Sequence, residues 1–285
     1  NQRTTGKYSS PEKHQHYCWS MPLLEKLLRN LSFLAYVIKA IVLIMLCTAQ
    51  SHSGVHAAPN QRTTQPYVTG SSVLGIKYKD GVMIASDTLA SYGSMARFKD
   101  VKRIKQVGEQ TIVGAGGEFS DFQAISDMLD DVVQEDKNLD DNFVRAPSEI
   151  YSYLRAVMYQ RRNKFNPLWN NVVVGGVQNG KPFLGTIDNI GTAFEDNLIA
   201  TGFGTHLALP ILRKRWAPDM EEAEARALLE DCLRVCFYRD CRSSPRIQIA
   251  KATAEGTAVS EPFQLDTEWS YASFVQGVTT QDGSW

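Results

Sequence analysis

Histidine and cysteine most often carry catalysis or metal binding, and both are sparse in this chain. It has five of each in 285 residues, and four of the histidines lie within the first 56, which leaves His206 alone in the remainder. Cys232 and Cys236 are four positions apart and could share a helix face, but no second Cys or His pair accompanies them. We therefore expect neither a His-dependent triad nor a metal site, and no cofactor. The odd cysteine count and irregular spacing favour a reducing compartment.

Glycine clusters at 114–117 and 202–204 could suggest a phosphate-binding loop. Neither continues as GxxxxGK[ST] or GxGxxG, so tight turns between strand and helix are the preferred interpretation. The net charge of −1 gives no electrostatic reason to expect nucleic acid as a partner. The stretch 97–105 is rich in basic residues, and it is interpreted as a solvated face or a subunit contact. Its members are Arg97, Lys99, Lys102, Arg103 and Lys105.

Regular hydrophobic patterns begin after residue 66. Residues 72–79 alternate, with Leu74, Ile76 and Tyr78 on one face, and a tight turn at 79–81 leads into a second strand at 82–87. Further strands are predicted at 111–114, 171–177, 183–187 and 246–252. Helices are predicted from a cap at Ser120, over 148–161 and over 221–238. Segregated runs of strands and helices are typical of an α+β fold.

The first 62 residues look foreign to the rest. The pentapeptide NQRTT at 1–5 recurs at 60–64, and 31–46 is almost wholly apolar except for Lys39. Three interpretations remain open: a membrane anchor or signal, a pro-segment, or a gene-model insertion such as a translated intron. The repeated pentapeptide favours the insertion, and we exclude 1–62 from the fold.

Several motifs in order resemble the proteasome beta subunit family, over 63–277. They are TGSSVLGIKY at 69–78, GVMIASD at 81–87, ASYGS at 90–94, MYQRR at 158–162, NPLWN at 166–170 and YRD at 238–240. The resemblance implies a four-layer αββα sandwich of the N-terminal-nucleophile hydrolase type. In active members, cleavage after a Gly frees a Thr, whose hydroxyl attacks the peptide while its α-amine acts as base. A Lys and an Asp tune the proton transfer, and further Ser and Asp residues support the site.

The resemblance assigns each of these roles to a position here. Ser71 follows Gly70 at the nucleophile position, and Asp87 matches the supporting Asp. Arg103 stands at the Lys position, where a guanidinium cannot act as a neutral amine. The adjacent Lys102 is expected to point to the opposite face of an extended segment.

Three further positions complete the comparison. Phe203 replaces a supporting Ser and offers no hydroxyl, whereas Asp240 and Ser243 match the family's supporting pair. Residues 63–70 resemble a short extension retained after maturation, which would leave Ser71 without a free amine. We therefore expect a vestigial site with no catalytic residues.

The resemblance then implies a non-catalytic, structural beta subunit that completes a ring of the 20S core particle. Expected partners are other beta subunits and alpha-ring subunits, in the cytoplasm and nucleus, with no membrane association. Candidate contact surfaces are 92–98, Trp169 and the tail 276–285, of which 278–285 lies beyond the domain. Two alternatives stay open: an active hydrolase that uses Ser71, and a membrane-anchored interaction protein that uses 31–46.

Overall fold

The computed structural model describes residues 65–141 and 143–270. Within these ranges the strands are β1 Val68–Gly70, β2 Val73–Tyr78, β3 Gly81–Asp87, β4 Ala90–Tyr92, β5 Met95–Phe98, β6 Ile104–Val107, β7 Thr111–Glu118, β8 Asn170–Gln178, β9 Lys181–Ile187, β10 Ala193–Glu195, β11 Leu198–Ala200, β12 Arg246–Thr253, β13 Gly256–Val259 and β14 Phe263–Gln264. The helices are α1 Phe119–Leu139, α2 Pro147–Asn163, α3 Gly204–Leu207, α4 Leu209–Arg215 and α5 Glu222–Arg239.

The strands form two sheets, and every pairing between the described strands is antiparallel. Sheet A has the order β10-β9-β8-β7-β1-β4-β5, and β6 also pairs with β7. Sheet B has the order β11-β2-β3-β12-β13, and β14 also pairs with β12. The chain passes from sheet A to sheet B between β1 and β2, at residues 71 and 72.

Strand alternation divides the apolar side chains among three core layers. Leu74 and Ile76 of β2 lie in one cluster with Leu228 and Cys232 of α5. Val73, one residue away, faces the other sheet. Burial of each such side chain contributes about 1.5–3 kcal/mol, so both sheet faces must be covered.

The remaining clusters complete the layering. Ile125 of α1 and Leu154 of α2 pack against Val113 and Val172 of sheet A. Residues from both sheets meet in the middle, where Val82, Ile84, Ile112, Val173 and Leu184 are in contact. The architecture is therefore helices, sheet A, sheet B, helices, and the predicted four-layer αββα sandwich is confirmed.

The structure confirms the six predicted strands and three predicted helices within a few residues at most ends. The cap predicted at Ser120 is wrong: α1 begins at Phe119, and Glu118 is its N-cap. The cluster at 114–117 lies within β7 and forms no turn, although Gly117 has a positive φ of 93°. Gly202 has a positive φ of 60°, as is typical of a tight turn. The unpredicted strands are mostly two to four residues long, too short for a hydrophobic period.

The segments 1–62 and 276–285, including the predicted anchor at 31–46, lie outside the described residues. Across the ranges that the structure does describe, no helix combines the length and the apolar character needed to cross a bilayer.

Candidate functional site

Ser71 lies at the crossing between the two sheets, directly after β1. This short strand fills the space between β4 and β7: Thr69 is paired with Ser91 on one side and with Glu118 on the other. Gly70 is likewise paired on both sides. As long as this strand stays attached, the nitrogen of Ser71 is a peptide nitrogen and cannot act as an amine base.

The Ser71 hydroxyl is directed at the end of α5. Its Oγ donates to Oδ2 of Asp240 over 2.5 Å, and Oδ1 of Asp240 accepts from the backbone N–H of Arg242 over 2.9 Å. Asp240 is the C-cap residue of α5, so the helix end fixes this carboxylate. Ser243 donates its backbone N–H to the carbonyl of Asp240 over 3.2 Å. Its hydroxyl makes no hydrogen bond to Ser71 or Asp240 within the described part of the chain.

Asp87 and Arg103 form an ion pair beneath Ser71, and both side chains are almost fully buried. Asp87 ends β3, and its Oδ1 accepts from Nη2 of Arg103. Its Oδ2 accepts from the backbone N–H groups of Leu89 and Ser244, over 3.3 and 3.2 Å. Burial raises the pKa of the Asp87 carboxyl, and the Arg103 cation and the two N–H groups oppose that rise.

Arg103 donates all five of its N–H groups to this site. Nε bonds the Asp87 carbonyl over 3.1 Å, and Nη1 bonds the carbonyls of Ser71 and Ala115, both over 3.2 Å. Nη2 bonds the Ser72 carbonyl over 3.1 Å in addition to the Asp87 carboxylate. A guanidinium stays protonated at any physiological pH, so this cation fixes the backbone around Ser71 and cannot exchange a proton with it.

The burial of Arg103 corrects the interpretation of 97–105 as a solvated face. Arg103 is 1% exposed. Lys102 is exposed and points elsewhere as expected, towards Glu261 at 3.3 Å. Lys105 pairs with Asp130 at 2.5 Å. The stretch is thus divided between one buried structural cation and several surface ones.

Phe203 stands beside the site rather than in it. It is half exposed, and its ring contacts the ring of His206 edge-on, with 6.2 Å between centroids. The neighbouring Gly204 donates its N–H to Oγ of Ser72 over 2.8 Å, which ties this loop to the crossing between the sheets. The structure therefore links Ser71, Asp87, Arg103 and Asp240 by hydrogen bonds, whereas Phe203 and the Ser243 hydroxyl lie outside that network.

Sequence reasoning missed Glu118, which holds the segment ahead of Ser71. Its buried carboxylate accepts from the backbone N–H groups of Tyr67 and Val68, over 2.5 and 3.0 Å. The other oxygen accepts from the Ser120 hydroxyl over 3.0 Å and caps α1. A buried acid before an apolar helix could have been suspected as a cap, but its bonds to Tyr67 and Val68 join residues about 50 positions apart.

Trp169 precedes β8 and links it to α1. Its backbone N–H donates to Oδ2 of Asp121 over 2.8 Å, and its carbonyl accepts from the N–H of Glu118 over 2.8 Å. Burial raises the pKa of the Asp121 carboxyl, and the hydrogen bond from Trp169 opposes that rise. Trp169 is half-buried, and these two backbone hydrogen bonds join the start of β8 to α1.

Comparison with known proteins identifies the family. The family model described as "Proteasome subunit" matches residues 67–252. Proteasome subunit beta type-4 of Arabidopsis thaliana is 51% identical over 226 residues, which cover 79% of this chain and 92% of that one. Proteasome subunit beta type-4 of Dictyostelium discoideum is 51% identical (74% and 83% covered), and proteasome subunit beta type-7 of Saccharomyces cerevisiae is 41% identical (79% and 89% covered). The chain therefore belongs to the proteasome subunit family, among its beta subunits.

Proposed function

We propose that this chain is a non-catalytic beta subunit of the 20S proteasome core particle. It completes a beta ring, contacts neighbouring beta subunits and the alpha ring, and works in the cytoplasm and nucleus in ubiquitin-dependent protein degradation. Its contribution to proteolysis is structural, and other subunits cut the peptide bonds.

The observation that carries this proposal is the double pairing of β1. An N-terminal nucleophile needs a free α-amine at the attacking residue. Here Thr69 and Gly70 are paired with β4 and β7, and Glu118 binds the two residues before them. Cleavage before Ser71 would have to release a strand that the fold holds on both sides.

The cation at the lysine position supports the same conclusion. All five donors of Arg103 are engaged, three of them by the carbonyls of Ser71, Ser72 and Ala115. A group in this state stabilises the local backbone and offers no base for a proton in transit.

One observation favours the alternative of an active Ser-type hydrolase. The Ser71 hydroxyl is already oriented by Asp240 at 2.5 Å. A carboxylate alone is a weak base towards a hydroxyl, and no amine is available while β1 is attached, so we favour the structural role.

The test is to isolate the assembled particle from cells that carry this chain with Ser71→Ala in place of the original. Peptidase activities per particle and the N-terminus of the chain, determined by mass spectrometry, are measured in parallel with the unaltered chain. We expect an N-terminus ahead of Ser71 and unchanged activities. An N-terminus at Ser71, together with an activity lost on Ser71→Ala, would establish the hydrolase instead.

A further inference from the structure

The hairpin of β4 and β5 concentrates exposed apolar side chains at the outer end of sheet A. Tyr92 is 46% exposed, Met95 is 60% exposed and Phe98 is 41% exposed. These three lie within seven residues of one another, in a hairpin whose second strand is exposed throughout. Tyr, Phe, Met and Arg are enriched in the buried centres of protein interfaces, and this hairpin carries all four types.

The guanidinium of Arg97 lies over two of these rings. Its Cζ lies 5.6 Å from the ring centroid of Tyr92 and 5.2 Å from that of Phe98. Within the ranges 65–141 and 143–270, no carboxylate lies within ion-pair distance of it. The two rings therefore favour one position of a guanidinium that has no counter-ion among the described residues, which lowers the entropy lost on binding.

The charges near Arg97 leave the hairpin positive. Asp100 is 3.6 Å from Arg246, and Glu261 is 3.3 Å from Lys102, so both of these acids already face a cation. Lys99 has no ion-pair partner among the residues that the structure describes. An incoming surface that complements this patch must supply a carboxylate beside apolar side chains.

The geometry of the edge favours side-chain contact over the addition of another strand. β5 is an edge strand of sheet A and has only four residues, Met95–Phe98. The register with β4 shifts between Ala90 and Tyr92. A short edge strand beside such an irregularity is a poor template for a further strand. We therefore expect a partner to be recognised by the side chains of the hairpin and not by backbone hydrogen bonds to β5.

We infer that the β4–β5 hairpin is a central contact with a neighbouring proteasome subunit, whose carboxylate side chain binds Arg97 between Tyr92 and Phe98. This inference rests on the proposed function, because it requires the chain to sit in an assembled particle. The apolar side chains of the hairpin exclude water from the ion pair, and the fixed guanidinium can bind the carboxylate through two parallel hydrogen bonds.

The test uses the full chain assembling in cells, with Arg97→Glu as the variant. Arg213→Glu is the matched control, because Arg213 is an exposed arginine of α4 with no ion pair in the described structure. Charge reversal at a buried interface pair is expected to lower incorporation into the particle by about tenfold or more relative to the control. The unfolding temperature should fall by no more than a few degrees, because only the exposed contacts of Arg97 with the two rings are lost within the chain. Equal incorporation of the two variants overturns the inference.

A photoreactive residue in place of Met95 provides a second measurement that leaves Arg97 intact. We expect it to cross-link, in the assembled particle, to a peptide of another subunit that contains Asp or Glu. Cross-links within this chain alone would refute the inference and leave the proposed function standing. Absence of the unaltered chain from the particle would refute both.

Discussion

Gly70 and Arg103 are in such close contact that residue 70 has no room for a side chain. A Cβ atom there would lie 2.8 Å from Nε and 2.9 Å from Nη1 of Arg103. The φ of Gly70 is not positive, so the requirement for glycine is steric rather than conformational. In active members of the family the equivalent Gly marks the cleavage point. In this chain the same residue makes space for a buried cation.

Gly70→Ala is accordingly expected to destabilise the protein by about 1–3 kcal/mol, the usual range for overpacking in a core. The measurement is urea unfolding of single and double variants. In an Arg103→Ala background the contact is absent, so Gly70→Ala should cost at least about 1 kcal/mol less there. Equal costs in both backgrounds would show that the two residues are not coupled.

Arg103→Met should be among the most destabilising single changes in the chain, at about 3–5 kcal/mol, because it leaves the Asp87 carboxyl buried without its cation. Chemical denaturation of the full chain measures this. Arg226→Met is the control: Arg226 pairs with Glu230 at 2.9 Å and lies 5.2 Å from the Phe263 ring centroid on an exposed helix face, where about 1 kcal/mol or less is expected. Similar losses at both positions would argue against a structural role for the buried pair.

Glu118→Ala should loosen the segment ahead of Ser71, because the N–H groups of Tyr67 and Val68 lose their acceptor and α1 loses its cap. We expect faster amide exchange at Tyr67 and Val68, and a loss of about 1–3 kcal/mol. Hydrogen–deuterium exchange measures the first effect. Glu109→Ala, a change at an exposed turn beside β7, should alter neither quantity. Unchanged exchange at Tyr67 and Val68 in the Glu118 variant would contradict this account.

Alkaline pH should destabilise the protein through groups kept protonated in its core. Burial raises the pKa of Cys232 to about 12 and of Cys236 to about 11, from an ordinary 9.0, and with nearby acids raises that of Tyr78 to about 12, from 10.0. In the unfolded chain these groups lose their protons at the ordinary values. The unfolded state then binds fewer protons, so the free energy of unfolding falls as pH rises above about 9.

Each such group contributes a slope approaching about 1.4 kcal/mol per pH unit once its unfolded form is ionised. Urea denaturation between pH 8 and pH 11 measures the total. Tyr78→Phe should flatten the curve above pH 10 and cost little at neutral pH, because the Tyr78 hydroxyl is buried without a hydrogen-bond partner in the described structure. If the free energy of unfolding of that variant fell with pH as steeply as that of the unaltered chain, Tyr78 would not contribute to the pH dependence.

The sequence predicted the parts of the fold that repeat a pattern. β2 and β3 carry enough alternating apolar residues to be recognised, as do the apolar faces of α1, α2 and α5. β1 and β4 have only three residues each, and they exist because neighbouring strands accept their backbone hydrogen bonds. Such strands are specified by tertiary structure and leave little local signal.

The candidate site, too, could be predicted from the sequence only in part. The type of residue at 103 already excluded a neutral amine, whatever its surroundings. The burial of Arg103 was not predictable, because a stretch as rich in basic residues as 97–105 is typical of a solvated surface. Arg103 is buried because Asp87, 16 residues earlier, is brought beneath it by β3, and because three separate segments turn carbonyls towards it.

Because β1 occupies the position between β4 and β7 in sheet A, it competes with any other peptide that could bind there. An extended peptide from elsewhere could pair with β4 and β7 only by displacing Val68–Gly70. The resident strand is covalently joined to β2, so its effective concentration at that position corresponds to millimolar levels or higher of a free peptide. An extended peptide would therefore compete with a tethered strand that already makes the same backbone pairings.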